Sequence, residues 1–213
     1  MRIRQVERIL KDGEPETSTC EGNGILLSIL IPTLPKRRAM LGRMLGCLRT
    51  ERDLPAEIVV FEDNKQWSVG EKRNALVRAA AGQFTVFVDD DDRVSEDYLD
   101  TILRILCQCG GKIDCIGIAG IMSSPGWTTG KKFVHSLAIR GWYERAGVFY
   151  RCPNHWNPVR RDIARMVSFP NVNCGEDIDW SLRLLPRLRN SVDIGWPIYF
   201  YEFSPTNTET QKR

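Results

Sequence analysis

The chain has 213 residues, 42% of them hydrophobic and 27% charged, with a formal net charge of +3. That length suffices for one domain with a full core, and the charge is too modest to demand a nucleic-acid partner. No apolar run approaches the length of a membrane span. Met1-Arg2-Ile3-Arg4-Gln5 lacks the apolar core of a signal peptide.

There are seven cysteines, an odd number with no framework spacing, which points to a reducing, cytoplasmic setting. Cys152 and His155 have a C-x-x-H spacing with Cys174 downstream, but a zinc site needs a fourth ligand that the spacing does not supply.

In chain order, residues 1–24 are polar and glycine-bearing and read as an N-terminal arm, with a short helix or hairpin at residues 3–10. Ile25-Leu26-Leu27-Ser28-Ile29-Leu30-Ile31 is almost wholly apolar, the pattern of a strand buried on both faces, with Pro32 and Pro35 ending it. A helix is predicted over residues 37–49, with Met40, Leu41, Met44, Leu45 and Leu48 on one face. Residues 57–61 read as a second strand that closes on Glu62, Asp63 and Asn64.

Ser68-Val69-Gly70-Glu71 fits a capping box opening a helix that Gly82 ends. The next strand, residues 83–88, runs into four consecutive aspartates, Asp89, Asp90, Asp91 and Asp92. A further helix follows Ser95, and residues 114–119 read as a fourth strand.

The β-α-β alternation over residues 25–119 predicts an α/β fold with a mostly parallel central sheet and helices on both faces. Ligands bind such sheets outside the carboxyl ends of the strands. Thr33, Asp63 and the aspartate run all fall at that edge. Four adjacent carboxylates repel one another, and a divalent cation shared with substrate phosphates relieves the repulsion. In isolation the run also fits a solvated acidic turn. Residues 120–213 are less regular and hold both histidines. Gly175-Glu176-Asp177 precedes a helical pattern at Ile178, Leu182 and Leu185, which sets two acids at a helix N-terminus, where the dipole favours ionised carboxylates.

The ordered set resembles the family 2 glycosyltransferases of GT-A fold. Leu27-Ser28-Ile29-Leu30-Ile31-Pro32-Thr33, residues 57–63, Gly70-Glu71-Lys72-Arg73-Asn74, Val86-Phe87-Val88-Asp89-Asp90-Asp91-Asp92 and Gly175-Glu176-Asp177 carry the likeness. The resemblance implies a nucleotide-sugar-binding half over residues 25–119 and an acceptor-side half of the same domain over residues 120–213. It implies a UDP-type donor held by Thr33, Asp63, Lys72, Arg73 and Asp89, with Asp90 at a variable position of the motif. Asp91 would hold Mn²⁺ or Mg²⁺, Asp92 would support the metal or touch the sugar, and Asp177 would be the base of an inverting transfer, with Glu176 beside it.

His155-Trp156-Asn157-Pro158-Val159-Arg160-Arg161 resembles a segment of small phage-encoded glycosyltransferases, which would place the protein in a host cytoplasm. There His155 is a candidate metal ligand or acceptor contact. Trp127 and Trp156 are candidates for stacking on a sugar or base, and Arg160 is one for phosphate. A hydroxylated DNA base and a saccharide are both admissible acceptors, the former requiring an exposed base.

Two other enzyme classes fit less well. Asp90-Asp91-Asp92-Arg93-Val94 matches the D-x-D-x-V of haloacid-dehalogenase phosphatases, but three elements precede it. A nucleotidyltransferase would open on a glycine-rich phosphate loop, and Pro32-Thr33-Leu34-Pro35 has no glycine. A non-catalytic nucleotide-sugar binder is the remaining alternative.

Overall fold

The computed structural model describes residues 1–5, 24–49, 52–109 and 111–203. Strands β1 (Arg2–Gln5), β2 (Leu27–Thr33), β3 (Ala56–Glu62) and β4 (Phe84–Phe87) form a parallel block in the order β1-β3-β2-β4. Alternate residues of β2 and β3 feed two separate cores, as the two-residue strand period requires. Leu27, Ile29, Ile31, Ile58 and Val60 pack with Leu41, Met44 and Leu48 of α1 (Arg38–Leu48) and with α3 (Tyr98–Cys109). Leu30, Val59 and Phe61 pack on the other face with Ala75, Leu76 and Val77 of α2 (Val69–Ala79), and with α4 (Arg161–Ala164) and α5 (Glu176–Leu184).

The sheet is mixed rather than mostly parallel. Short β10 (Val159–Arg160) is antiparallel to both β4 and the long β6 (Cys115–Ser123). Antiparallel β7 (Lys131–His135) follows β6, and beyond it lie β9 (Val148–Arg151) and edge strand β8 (Trp142–Arg145). The last strand, β11 (Ser191–Glu202), runs parallel to β6 through two register shifts and is antiparallel to β5 (Arg93–Val94). Of these strands, β6 is the one expected from residues 114–119. Strands β7, β8, β9 and β10 escape the sequence pattern because they are short, and several residues face solvent, as in Trp142-Tyr143-Glu144-Arg145, so no apolar run or clean alternation marks them.

Of the arm expected at residues 1–24, residues 1–5 and 24 are described. Residues 2–5 form a strand rather than a helix, paired with β3 from Arg2↔Glu57 to Gln5↔Val60. The Arg4 guanidinium secures it on the buried Glu57 carboxylate at 3.1 Å. Residues 6–10 of the expected element lie outside the described residues. Pro32 does not end its strand, which continues to Thr33. Leu30 accepts Val88 N–H, so the missing donor of Pro32, two residues on, faces past the end of β4.

The capping box is present: Ser68 Oγ accepts Glu71 N–H at 3.1 Å, and Glu71 Oε2 accepts Ser68 N–H at 2.9 Å. No described helix is long and apolar enough to cross a membrane.

Candidate active site

The carboxyl ends of β2, β3 and β4 open on a cleft of ≈ 870 Å³. The aspartate run divides there by parity. The Asp89 and Asp91 side chains are 21% and 17% exposed and line the cleft, whereas that of Asp90 is 1% exposed. Thr33 Oγ1 donates to Asp90 Oδ2 at 2.6 Å. The Arg37 guanidinium reaches Asp90 Oδ1 at 2.6 Å and Asp91 Oδ2 at 3.0 Å. Asp92 turns inward, where Tyr199 Oη donates to Oδ2 at 2.7 Å and Glu202 N–H to Oδ1 at 3.2 Å. The run is thus stitched to β11, and a solvated acidic turn does not describe it.

Helix α2 brings two cations to the same edge. Lys72 pairs with Asp63, whose other oxygen accepts the N–H groups of Gln66 and Trp67, and its ammonium also reaches Thr33 O at 3.3 Å. Arg73 is buried against the rings of Phe87 and Phe169, at 5.4 and 5.6 Å. It spans Asp89 at 3.4 Å and Glu176 at 3.6 Å, linking the end of β4 to the start of α5.

The N-terminus of α5 reaches the cleft through Gly175, whose φ of +80° is a left-handed conformation that glycine adopts without steric cost. The preceding loop is held on α2: Gly70 N–H donates to Val172 O, Val69 N–H to Asn173 Oδ1, and Asn74 bonds both backbone groups of Phe169. A Cβ at Gly70 would lie 1.8 Å from Pro170 O, so this approach requires glycine. Glu176 is buried and Asp177 faces the cleft, 23% exposed.

His155 stands between the two acidic groups. Its Nε2 lies 3.4 Å from Asp89 Oδ2 and its Nδ1 3.8 Å from Asp177 Oδ2. Its carbonyl accepts Phe87 N–H at 2.9 Å, which fixes the loop on β4. Trp156 Nε1 donates to Asp89 Oδ2 at 3.1 Å, and its indole is stacked on His135 and Tyr199.

These contacts set the charge of the cleft. Burial opposes ionisation of Asp89, but Arg73, His155 and Trp156 overcome it and hold the carboxyl well below the usual range. Burial pushes Asp91 up to about 6, reinforced by the neighbouring Asp89 charge and only partly offset by Arg37. Burial likewise raises Asp90 and, with Asp89 and Asp91 beside it, lifts Asp92 well above its ordinary value. In the cleft, Arg73 Nε, His155 Nδ1 and Glu176 Oε2 are buried without a hydrogen-bond partner. Native folds seldom leave such atoms unmatched outside ligand sites.

Of the residues singled out in the sequence, Thr33, Lys72, Arg73, Asp89, Asp90, Asp91, His155, Trp156, Glu176 and Asp177 line one cleft. Asp63 and Asp92 are buried behind it. Trp127 and Arg160 are not brought to it: Trp127 packs with Lys131, and Arg160 pairs with Asp114 and Asp162. Arg37, Trp142, Arg151 and Tyr201 also line the cleft and carry no sequence signal of their own, beyond Arg37 following the Pro35 turn.

No group of three or more His, Cys, Asp or Glu side chains is placed to hold a metal ion among the described residues. A resident protein-only metal site does not fit. Mg²⁺ and Mn²⁺ sites built from one or two side chains and a substrate's phosphates do fit, with Asp91 as the accessible carboxylate.

Searches with the sequence find no matching family model and no matching curated protein. Solved structures do match. S. aureus TarS superposes with a TM-score of 0.61 at 15% identity, over 85% of this chain and 37% of that one. Its 1–349 fragment with UDP-GlcNAc gives 0.67 at 14% identity over 89% of this chain and 62% of that one. The same fragment with UDP gives 0.61 at 16%, over 85% and 61%. The chain therefore spans less than two thirds of the length of these proteins, and what it shares with them is the fold.

Proposed function

We propose that this chain is a glycosyltransferase that moves a sugar from a UDP-type donor to an acceptor hydroxyl. The observation that carries the reading is the placement of Asp177 in the same cleft as Asp89 and Asp91, with His155 between Asp177 and Asp89 and with Arg73 joining Asp89 to the adjacent Glu176. The fold shared with a protein that binds UDP-GlcNAc and UDP supports it. So does the likeness of the motifs to the family 2 GT-A enzymes.

In this reading Thr33, Asp63, Lys72, Arg73 and Asp89 form the nucleoside side. A divalent ion arriving with the diphosphate would be held by Asp91, with His155 as a second ligand, and would neutralise the leaving group. Asp177 takes the proton of the acceptor hydroxyl. The acceptor oxygen forms its bond to the anomeric carbon as the bond to the diphosphate breaks, which inverts that centre. Glu176, clamped by Arg73, and His155 keep the Asp177 segment in position. The acceptor is a saccharide or a hydroxylated DNA base, the latter in keeping with the phage-like segment around Trp156.

A thermal-shift screen of UDP, GDP, CMP and dTDP sugars, with and without Mn²⁺, tests the donor half. Stabilisation by a UDP-sugar that deepens with Mn²⁺ is expected. No stabilisation by any nucleotide would sink the reading.

A further inference from the structure

Among the cations that line the cleft, Arg151 takes no part in the hydrogen-bond and ion-pair network around the aspartates. Arg151 ends β9 and lines the cleft, half-buried. Its guanidinium lies 4.3 Å from the ring centroid of Trp142, its cross-strand partner on β8, and 6.0 Å from that of Trp156. Arg37, Lys72 and Arg73 each hold a carboxylate. The Arg151 side chain makes no hydrogen bond or ion pair among the described residues. Burial pushes its pKa down, and the charges that oppose this are Asp177 and Tyr201, with none of Asp89, Asp90, Asp91 or Asp92 among them. Trp142, over which it lies, donates from Nε1 to Ser181 Oγ of α5 at 3.2 Å, so the guanidinium sits on the side of the cleft formed by the helix that carries Asp177.

A guanidinium held over an indole is restricted in position, and its N–H fork matches the paired oxygens of a phosphate. We infer that Arg151 binds a phosphate group of the acceptor and so delivers the acceptor hydroxyl beside Asp177. This rests on the glycosyltransferase reading, which supplies the acceptor. It narrows the acceptor to a phosphate-bearing molecule, whether phosphomonoester or phosphodiester.

The test is thermal unfolding with glycerol 3-phosphate, a dinucleotide phosphodiester and neutral glycerol as probes, each with and without UDP. The wild type is expected to be stabilised by one or both phosphates and not by glycerol. Arg151→Met should keep the UDP shift and lose the phosphate shift. Arg151→Lys, which keeps the charge without the fork, should bind phosphate about tenfold more weakly, and it decides the matter if Arg151→Met fails to fold. A phosphate shift that is absent from the wild type, or that survives unchanged in both variants, overturns the proposal. Loss of the UDP shift in Arg151→Met also overturns it, since the guanidinium would then serve the donor. If UDP does not shift the wild type, the donor reading fails by itself, and the probes without nucleotide still decide Arg151.

Discussion

Arg37 holds Asp90 at 2.6 Å through Nη1, so the second aspartate of the run is a buried anchor rather than a spare carboxylate. Thr33 bonds its other oxygen. Asp90→Ala is expected to lower stability by about 1–3 kcal/mol, because it leaves the buried Thr33 hydroxyl without its acceptor and Arg37 with one carboxylate fewer. Denaturant titration checks this. A loss below about 0.5 kcal/mol would mean that Asp91, already 3.0 Å from Arg37, is enough to hold it.

Asp91 makes the apo protein sensitive to pH. Its carboxyl rises from 3.8 to about 6 in the fold, so between those values the native state holds a proton that the unfolded state has released. Its contribution to stability is full below the lower value and is lost as pH rises through about 6. Asp91→Asn should match the wild type near pH 4 and exceed it at pH 7, by on the order of 1–3 kcal/mol. Denaturant midpoints at several pH values would show the divergence. The same variant should lose any extra stabilisation that Mn²⁺ gives in the presence of UDP.

Asp177→Asn separates binding from chemistry. It removes the proposed base and nearly conserves shape, so transfer should fall by about 10²–10⁴ while UDP still stabilises the protein as in the wild type. Single-turnover transfer from a labelled UDP-sugar is the measurement. Full activity would remove Asp177 from the base role.

Gly70→Ala tests the clamp between α2 and the loop leading to α5. The new methyl would meet Pro170 O at 1.8 Å, a backbone atom that can yield only by moving the loop. A loss of about 1–3 kcal/mol is expected, with slower transfer because Asp177 moves with the loop. A variant with wild-type melting temperature and activity would show that the loop is not held as tightly as its hydrogen bonds indicate.

The sequence by itself determined three strands of the parallel block, β2, β3 and β4, and the acids at the carboxyl ends of the last two. Apolar runs mark β2, β3 and β4 because those strands are buried on both faces. A capping box marks α2 because helix ends must satisfy their own N–H groups locally. Acids fall where strands and helices end because the sheet core will not take them. These are short-range signals, legible from neighbouring residues. The antiparallel half was not legible, because β7, β8 and β10 are short or half-exposed. Nor were the partners of the aspartates. His155 comes to Asp89 from 66 residues away, and Tyr199 reaches Asp92 from 107. Packing of β10 beside β4 and of β11 beside β6 makes those meetings, and no local period records them. Tertiary structure alone decided that Asp89 and Asp91 stay accessible in the cleft, that Asp90 is covered there by Thr33 and Arg37, and that Asp92 turns inward to Tyr199. It also left the Arg151 side chain in the cleft without a carboxylate partner among the described residues.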